Sequence, residues 1–337
     1  MPYPIKPLPT LRKLLSIALA AVILGACGYS DELHQRHSLL KLLWNERYAE
    51  LDGAITQAYV EKGKGKLSSN QIRSRFWQLE MVDPAFTPRF DGWVAKQDSS
   101  HAYLARGWFR LEQAQKTRGE GPYRDISPDR RTRVQELVLA SVEDFHQALK
   151  KDPLCAMCVG GKIAANRYLG RRDPELIETA LSIDPKLWQP VAAHFISLYP
   201  QWGGSEDEMK AFIRRMETVP GAEKSVRHLN AMFHFRRGLD HQYDTMNYPE
   251  AIKEYETAIS YHPDSNALKN IAQLYSRQRQ YDKAASALER NLHENDEWDL
   301  YTIEALAQAY FAQGKQRDGE KMMNKRDELI RRFRNGE

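Results

Sequence analysis

The sequence predicts an all-α protein, an α-solenoid of antiparallel helix pairs, and three observations support this fold class. No stretch alternates apolar and polar residues over the length of a β-strand. Proline and glycine lie mainly between segments whose apolar residues recur at helical spacing. In the C-terminal third, a pattern of small and aromatic residues recurs after 33 and 35 residues, a spacing typical of stacked helix pairs.

The chain begins with a segment that has the features of a secretion signal. Three basic residues, Lys6, Arg12 and Lys13, precede a run at 14–24 that is apolar except for one serine. This run is too short to cross the roughly 30 Å hydrocarbon core of a bilayer as a permanent anchor. The following Leu24-Gly25-Ala26-Cys27 resembles the lipobox of bacterial lipoproteins. We therefore expect residues 1–26 to be a lipoprotein signal peptide.

This resemblance implies cleavage between Ala26 and Cys27 and acylation of the Cys27 thiol. Each buried methylene contributes about 0.8 kcal/mol, and stable anchoring needs more than one acyl chain, such as palmitate. Residues 27–37 would then be a tether to the bilayer. Gly28, in place of aspartate, favours transfer to the outer membrane, facing the periplasm. An ordinary secretory signal with a chance cysteine is the alternative interpretation.

Composition limits the classes of function. Charged residues make up 28% of the chain and hydrophobic residues 42%, as in a globular protein with a sizeable core. The formal charge of +4 falls to about +1 once the three signal cations are removed. A chain so close to neutral is not expected to bind nucleic acid. No later run approaches the roughly 18 apolar residues of a membrane-spanning helix.

Cys155 and Cys158 form a C-x-x-C pair in a compartment that is expected to be oxidising. Haem attachment would require histidine after the second cysteine, where Val159 stands, and zinc would require a second ligand pair. A thioredoxin-like redox pair would sit in a βαβ context, whereas 152–154 has the composition of a turn between helices. The pair is interpreted as a local disulfide or two buried thiols, with a redox role as the alternative.

The repeats of the C-terminal third follow one rule. Small residues recur where two helices of a pair would cross, with an aromatic or large apolar residue one turn later. The same positions recur in a helix near residue 145. The residues predicted to pack at these crossings are Phe145, Ala148, Ala251, Tyr255, Ala258, Ala272, Ala284 and Ala307.

With this spacing, residues 227–334 resemble the tetratricopeptide family, in three units within a predicted domain at 223–337. The sequence departs from the family pattern in a long turn predicted at 241–247 and in Gly319, a glycine at the third crossing. A basic helix at 321–334 is expected to cap the array. Tyr275 and Tyr310 occupy equivalent positions, either in the core or on the groove where such arrays bind partners.

Residues 38–218 are predicted to form divergent helix pairs, and they resemble a bacterial helical family known as domain of unknown function 4034. That family has no settled activity, so the resemblance implies a helical fold and nothing about function. The stretches that carry it are 48–52, 93–95 with 99–102, 104–107, and Leu198-Tyr199-Pro200-Gln201-Trp202-Gly203-Gly204-Ser205.

The stretch Trp202-Gly203-Gly204-Ser205 is the most distinctive outside the repeats. Two adjacent glycines permit backbone conformations closed to other residues, and Ser205 with Glu208 has capping-box spacing. The amides of the following helix could hold an anion, but three acidic residues at 206–208 already supply negative charge. We expect a structural corner in which Trp202 packs against the preceding helix.

No pattern of a catalytic or metal site is found in the sequence. His228, His234 and His241 lack the spacing of a metal site, and Gly63-Lys64-Gly65-Lys66 lacks that of a phosphate loop. A basic loop that includes Arg118 could touch anionic lipid or peptidoglycan, although local charge pairing is the simpler interpretation. We therefore expect no metal, no cofactor and no enzymatic activity.

The leading functional hypothesis is a membrane-anchored, periplasm-facing scaffold that binds an envelope protein or peptide and contacts the lipid bilayer through acylated Cys27. A solenoid presents a long surface on rigid elements, which suits such binding. The alternatives are a thiol-disulfide redox protein that uses Cys155 and Cys158, and a cell-wall glycan-binding protein.

Overall fold

The computed structural model describes residues 39–80, 82–119 and 125–335. Within these ranges the chain is helical with short turns and contains no strand, so the predicted fold class, all-α with antiparallel helix pairs, is confirmed. The chain divides between Leu229 and Asn230 into two units. This division falls inside one helix, Glu223–Leu239, slightly beyond the boundary expected from the sequence.

The unit at 39–229 begins with a short helical segment at 39–44 and contains nine complete helices in the described residues. Two 3₁₀ turns, Pro84–Phe86 and Pro200–Trp202, interrupt the series. The helices are α1 Tyr48–Gly63, α2 Ser69–Glu80, α3 Thr87–Gln97, α4 Ser100–Arg118, α5 Pro128–Lys151, α6 Ala156–Tyr168, α7 Pro174–Ile183, α8 Trp188–Ser197 and α9 Glu206–Glu217.

The unit at 230–335 comprises the later part of α10 (Glu223–Leu239), a π-helical turn at Asp240–Asp244 and five further helices. These are α11 Tyr248–Tyr261, α12 Ser265–Arg277, α13 Tyr281–Glu294, α14 Leu300–Ala312 and α15 Gln316–Asn335. The last repeat helix and the predicted basic cap are one continuous helix, α15, rather than two elements.

Helix starts follow from local capping chemistry. The side chain of Ser99 accepts a hydrogen bond from the Ala102 amide at 3.1 Å and begins α4. Asp264 and Asp299, 35 residues apart, each accept two amide hydrogen bonds at the starts of α12 and α14. A side-chain oxygen at this position satisfies amides that have no partner within the helix. The residues that cap the first helices of the last two pairs therefore follow the same 35-residue spacing as the crossing residues.

In the unit at 39–229, the ring of Phe145 in α5 packs against one glycine of α4 and one of α6. A methyl group added to Gly161 would lie 2.5 Å from the Phe145 ring, and one added to Gly107 would lie 2.7 Å from it. Only glycine leaves room for the aromatic ring at these two positions. Phe145 and Ala148 are both buried.

The same arrangement recurs in the unit at 230–335, where Gly238 of α10 packs on the ring of Tyr255 in α11. The two crossing residues of a pair are separated by twelve residues in the sequence for Ala272 and Ala284 (284 − 272), but by thirteen for Gly238 and Ala251 (251 − 238). The additional residue is taken up in the π-helical turn, where the Thr245 amide donates to the Asp240 carbonyl at 3.1 Å. The turn predicted at 241–247 is therefore π-helical in its first part.

Candidate functional site

The predicted signal and anchor lie outside the described residues. This applies to the cleavage position between Ala26 and Cys27, to acylation of Cys27, and to the signal peptide and tether at 1–37. Among the residues that the structure describes, no helix is both long enough and apolar enough to cross a membrane.

Cys155 and Cys158 are joined by a disulfide at the start of α6, with their Cα atoms 5.3 Å apart. The Cys155 sulfur also accepts a hydrogen bond from the Cys158 amide at 3.1 Å, as a helix cap. Cys155 is 6% exposed and Cys158 is fully buried. A redox enzyme must present a sulfur atom to its substrate, so this burial disfavours the redox alternative.

The residues predicted to pack at helix crossings all lie in the interior of their own unit. Tyr275, whose position the sequence left open, is buried, and its hydroxyl donates to the Glu256 carboxylate at 2.6 Å. Tyr310 makes the equivalent bond to Glu289 at 2.7 Å. Both tyrosines thus tie the first helix of one pair to the second helix of the pair before it. The buried crossing residues are Phe145, Ala148, Ala251, Tyr255, Ala258, Ala272, Ala284 and Ala307.

The corner at Trp202-Gly203-Gly204-Ser205 has a backbone that needs its two glycines. Gly203 has a φ of 81°, and a side chain at Gly204 would collide with the Leu198 carbonyl. Ser205 caps α9 through the Glu208 amide at 3.2 Å. Trp202 stands edge-on to Tyr168 of α6 at 5.5 Å between ring centroids, rather than only against the helix that precedes it.

The histidines of α10 form ordinary polar contacts. His234 Nδ1 lies 2.7 Å from a carboxylate oxygen of Glu254, and Arg237 reaches the other oxygen at 3.2 Å. Across the described residues, no group of three histidine, cysteine, aspartate or glutamate side chains has the arrangement of a metal site.

One surface of the unit at 230–335 has the features of a binding face. It is formed by the π-helical turn and the first helices of the last two pairs, and we call it the first-helix face. The π-helical turn contacts α12, where Gln242 Nε2 donates to Gln273 Oε1 at 3.3 Å, and α12 contacts the start of α14 through Lys269 and Asp299 at 3.3 Å. The exposed residues that define the face are Tyr243, Asn266, Gln273, Tyr301, Glu304 and Gln308.

Two tyrosines dominate the first-helix face. Tyr243 is 55% exposed and Tyr301 is 50% exposed. The pKa of Tyr301 is raised, first by partial burial of its ring and then by the electrostatic influence of Asp299, Tyr243 and Glu304. Sequence analysis did not single out either tyrosine, because neither follows the small-residue pattern of the crossings.

The chemistry of this face suits a peptide more than a small charged molecule. Lys269, which borders it, is neutralised by Asp299 at 3.3 Å. The amides of Asn266, Gln273 and Gln308 can both donate to and accept from a peptide backbone. Half-exposed tyrosines supply apolar contact area with a polar hydroxyl at the end, a combination common in protein interfaces.

Comparison with known proteins adds little to this description. No family model and no curated protein matches the chain, so the resemblance of 38–218 to domain of unknown function 4034 stays a prediction.

Several solved helical structures are similar over much of the chain, at low identity. Yeast Tom70 aligns with a TM-score of 0.49 and 14% identity over 95% of this chain and 68% of that one. The MamA protein aligns at 0.28 and 13% over 60% and 88%. A human IFIT1 dimer structure aligns at 0.34 and 13% over 93% and 71%. The fold class stated above is therefore based on the helix pairs themselves.

Proposed function

We propose that this chain is a lipid-anchored scaffold of the cell envelope that binds an extended segment of a protein or peptide on the first-helix face. The observation that carries the proposal is the pair of half-exposed tyrosines, Tyr243 and Tyr301, beside uncharged amides on adjoining helices. Burial of the Tyr255 hydroxyl against Gln242 at 2.6 Å supports the π-helical turn that carries Tyr243. The backbone of this part of the face is thus held before a partner arrives, which reduces the entropic cost of binding.

Anchoring is proposed from the sequence alone, on the basis of the lipobox at 24–27. Acylation at Cys27 would hold the scaffold at a membrane. Replacement of Cys27 by serine is expected to abolish incorporation of labelled palmitate and to release the chain from the membrane fraction. Retention of both in the Cys27→Ser variant would contradict the anchor.

Site-specific photocrosslinking in cells tests the binding face. A photoreactive phenylalanine analogue at position 243 or 301 is expected to give one adduct of the same mass. Tyr261 provides a matched control, since it is an exposed tyrosine of the same unit but lies on α11, where it stacks on His234. The Gln273→Ala change should weaken the adduct. Equal adducts from all three positions, or none from 243 and 301, would refute the proposal.

A further inference from the structure

A second cluster, in the unit at 39–229, has a composition that its packing role does not explain. The Trp202 ring contacts two guanidinium groups, with the Arg167 Cζ 5.2 Å and the Arg118 Cζ 5.8 Å from the ring centroid. Arg167 comes from the last turn of α6 and Arg118 from the end of α4. Two cations therefore meet at one indole.

Neither cation has a carboxylate partner in the part of the chain that the structure describes. Arg118 donates from Nη1 to the Gly119 carbonyl at 2.8 Å. The Nε atom of Arg167 is buried and has no hydrogen-bond partner among the described residues. Burial lowers the pKa of Arg167, and the nearby charge of Arg118 lowers it further, although Tyr168 and Tyr199 oppose the shift. A cation that is held out of water is stabilised by a counter-charge, so Arg167 beside Arg118 favours an anion.

The position of the indole is set by the backbone, since Gly204 contacts the Leu198 carbonyl closely and Gly203 has positive φ. Tyr168 holds the ring edge-on, and its own hydroxyl donates to Gln115 at 3.2 Å. The aromatic residues of the cluster are thus held in place without the anion. A preorganised site loses less entropy when a ligand binds.

We propose that Arg118 and Arg167, on the surface of Trp202, bind a phosphate group. A guanidinium presents a planar fork of donors that matches phosphate oxygens. A phosphomonoester carries about −1.5 to −2 charges at pH 7 and can neutralise both arginines, whereas a single carboxylate would leave one cation without compensation. Free phosphate and a phospholipid headgroup share this chemistry. The site is separate from the first-helix face and does not depend on the function proposed there.

Titration calorimetry with inorganic phosphate tests the site, on the chain from Gly28 onward, at low ionic strength and pH 7.5. We expect binding that is at least tenfold weaker in Arg167→Gln and in Arg118→Gln. The matched control is Arg171→Gln, since Arg171 is exposed in the turn after α6 and should leave binding unchanged. Circular dichroism of each variant shows whether the fold is kept.

Vesicles of phosphatidylcholine with or without phosphatidic acid identify the source of the phosphate. Retention on the acidic vesicles, reversed by free phosphate and lost in Arg167→Gln, would support a lipid headgroup. Calorimetric binding without vesicle retention would support a free phosphate compound. The proposal would be overturned if neither calorimetric binding of phosphate nor retention on acidic vesicles were found. It would also be overturned if Arg171→Gln weakened binding as much as Arg167→Gln.

Discussion

The two units of the chain use the same helix crossings but distribute their polar interactions differently. In the unit at 230–335 the polar contacts recur with the repeat, as in the bonds of Tyr275 to Glu256 and of Tyr310 to Glu289. The unit at 39–229 instead has a buried charge cluster. A repeated contact shares stability among several equivalent sites, whereas a unique contact concentrates it at one site.

The clearest unique contact is centred on Asp144 of α5. This buried carboxylate accepts hydrogen bonds from Arg106 at 2.7 Å and Arg110 at 2.8 Å, both on α4. Both arginines also reach Asp91 of α3, at 2.9 and 3.3 Å. Four charged side chains thus join three helices, an arrangement that has no equivalent among the repeated bonds described above.

The largest expected effect comes from removing this charge. Asp144→Asn keeps the side-chain shape but removes the buried charge of the cluster, so that the half-exposed Asp91 is the carboxylate that remains for the partly buried Arg106 and Arg110. We expect a loss of about 3 to 5 kcal/mol in the free energy of unfolding, measured by denaturant titration. Glu143→Gln, an exposed neighbour on the same helix, should change it by less than about 0.5 kcal/mol. If Asp144→Asn cost only the roughly 1 kcal/mol of a typical hydrogen bond, the distinction between the units would fail.

The glycines at the crossings should behave alike in both units. Gly161→Ala in one unit and Gly238→Ala in the other each push a methyl group into an aromatic ring. We expect each change to destabilise the chain by about 1 to 3 kcal/mol in thermal or denaturant unfolding.

Gly53 is the control for these substitutions, because it lies within α1 and a methyl group added there would meet no neighbouring side chain. Gly53→Ala should be neutral or stabilising by up to about 1 kcal/mol, since alanine favours the helix. If Gly161→Ala lowered the free energy of unfolding and Gly238→Ala did not, the crossings of the two units would not be equivalent.

The last expected effect is a pH dependence that arises in the unit at 39–229. Burial raises the pKa of Glu80 to about 7, although the Arg73 guanidinium at 2.7 Å opposes the shift. The folded chain then holds a proton that the unfolded chain releases near pH 4.5, so this group's contribution to stability falls as pH rises from 4.5 to 7.

The slope attributable to Glu80 is at most about 1.4 kcal/mol per pH unit in this window. It is obtained by measuring unfolding between about pH 5 and 7 and subtracting the slope of Glu80→Gln from that of the unchanged chain. Burial lowers the pKa of His194 to about 4, so His194 makes stability rise with pH in the same window. Subtracting the two slopes also removes this contribution, because it is present in both chains. Identical slopes in the two chains would show that Glu80 is not protonated in the folded state.

The sequence was sufficient for the fold class and the crossings because these depend on local periodicity. Small residues and rings such as Ala251 and Tyr255 recur at spacings set by helix geometry, and they are buried as that geometry requires. The clusters at Asp144 and Trp202 could not be predicted in the same way. Arg118, Arg167 and Trp202 come from three separate elements, and which charges converge depends on how those helices pack.

The first-helix face lies between these cases. Its helices could be predicted, but the exposed Tyr243 lies in the π-helical turn, where the additional residue disturbs the regular spacing. Tyr301 is the second residue of α14, after the cap at Asp299 and Leu300, and has no counterpart in the small-residue pattern.

The π-helical turn at Asp240–Asp244 also has a rotational consequence. An α-helix advances by about 100° per residue, so one inserted residue turns everything beyond it by that angle relative to the preceding helix. Here the offset coincides with Gln242 directed inward to Tyr255 and Tyr243 directed to solvent. A single inserted residue can thus change the direction of side chains in the turn, while the next helix pair keeps the regular spacing of its crossing residues.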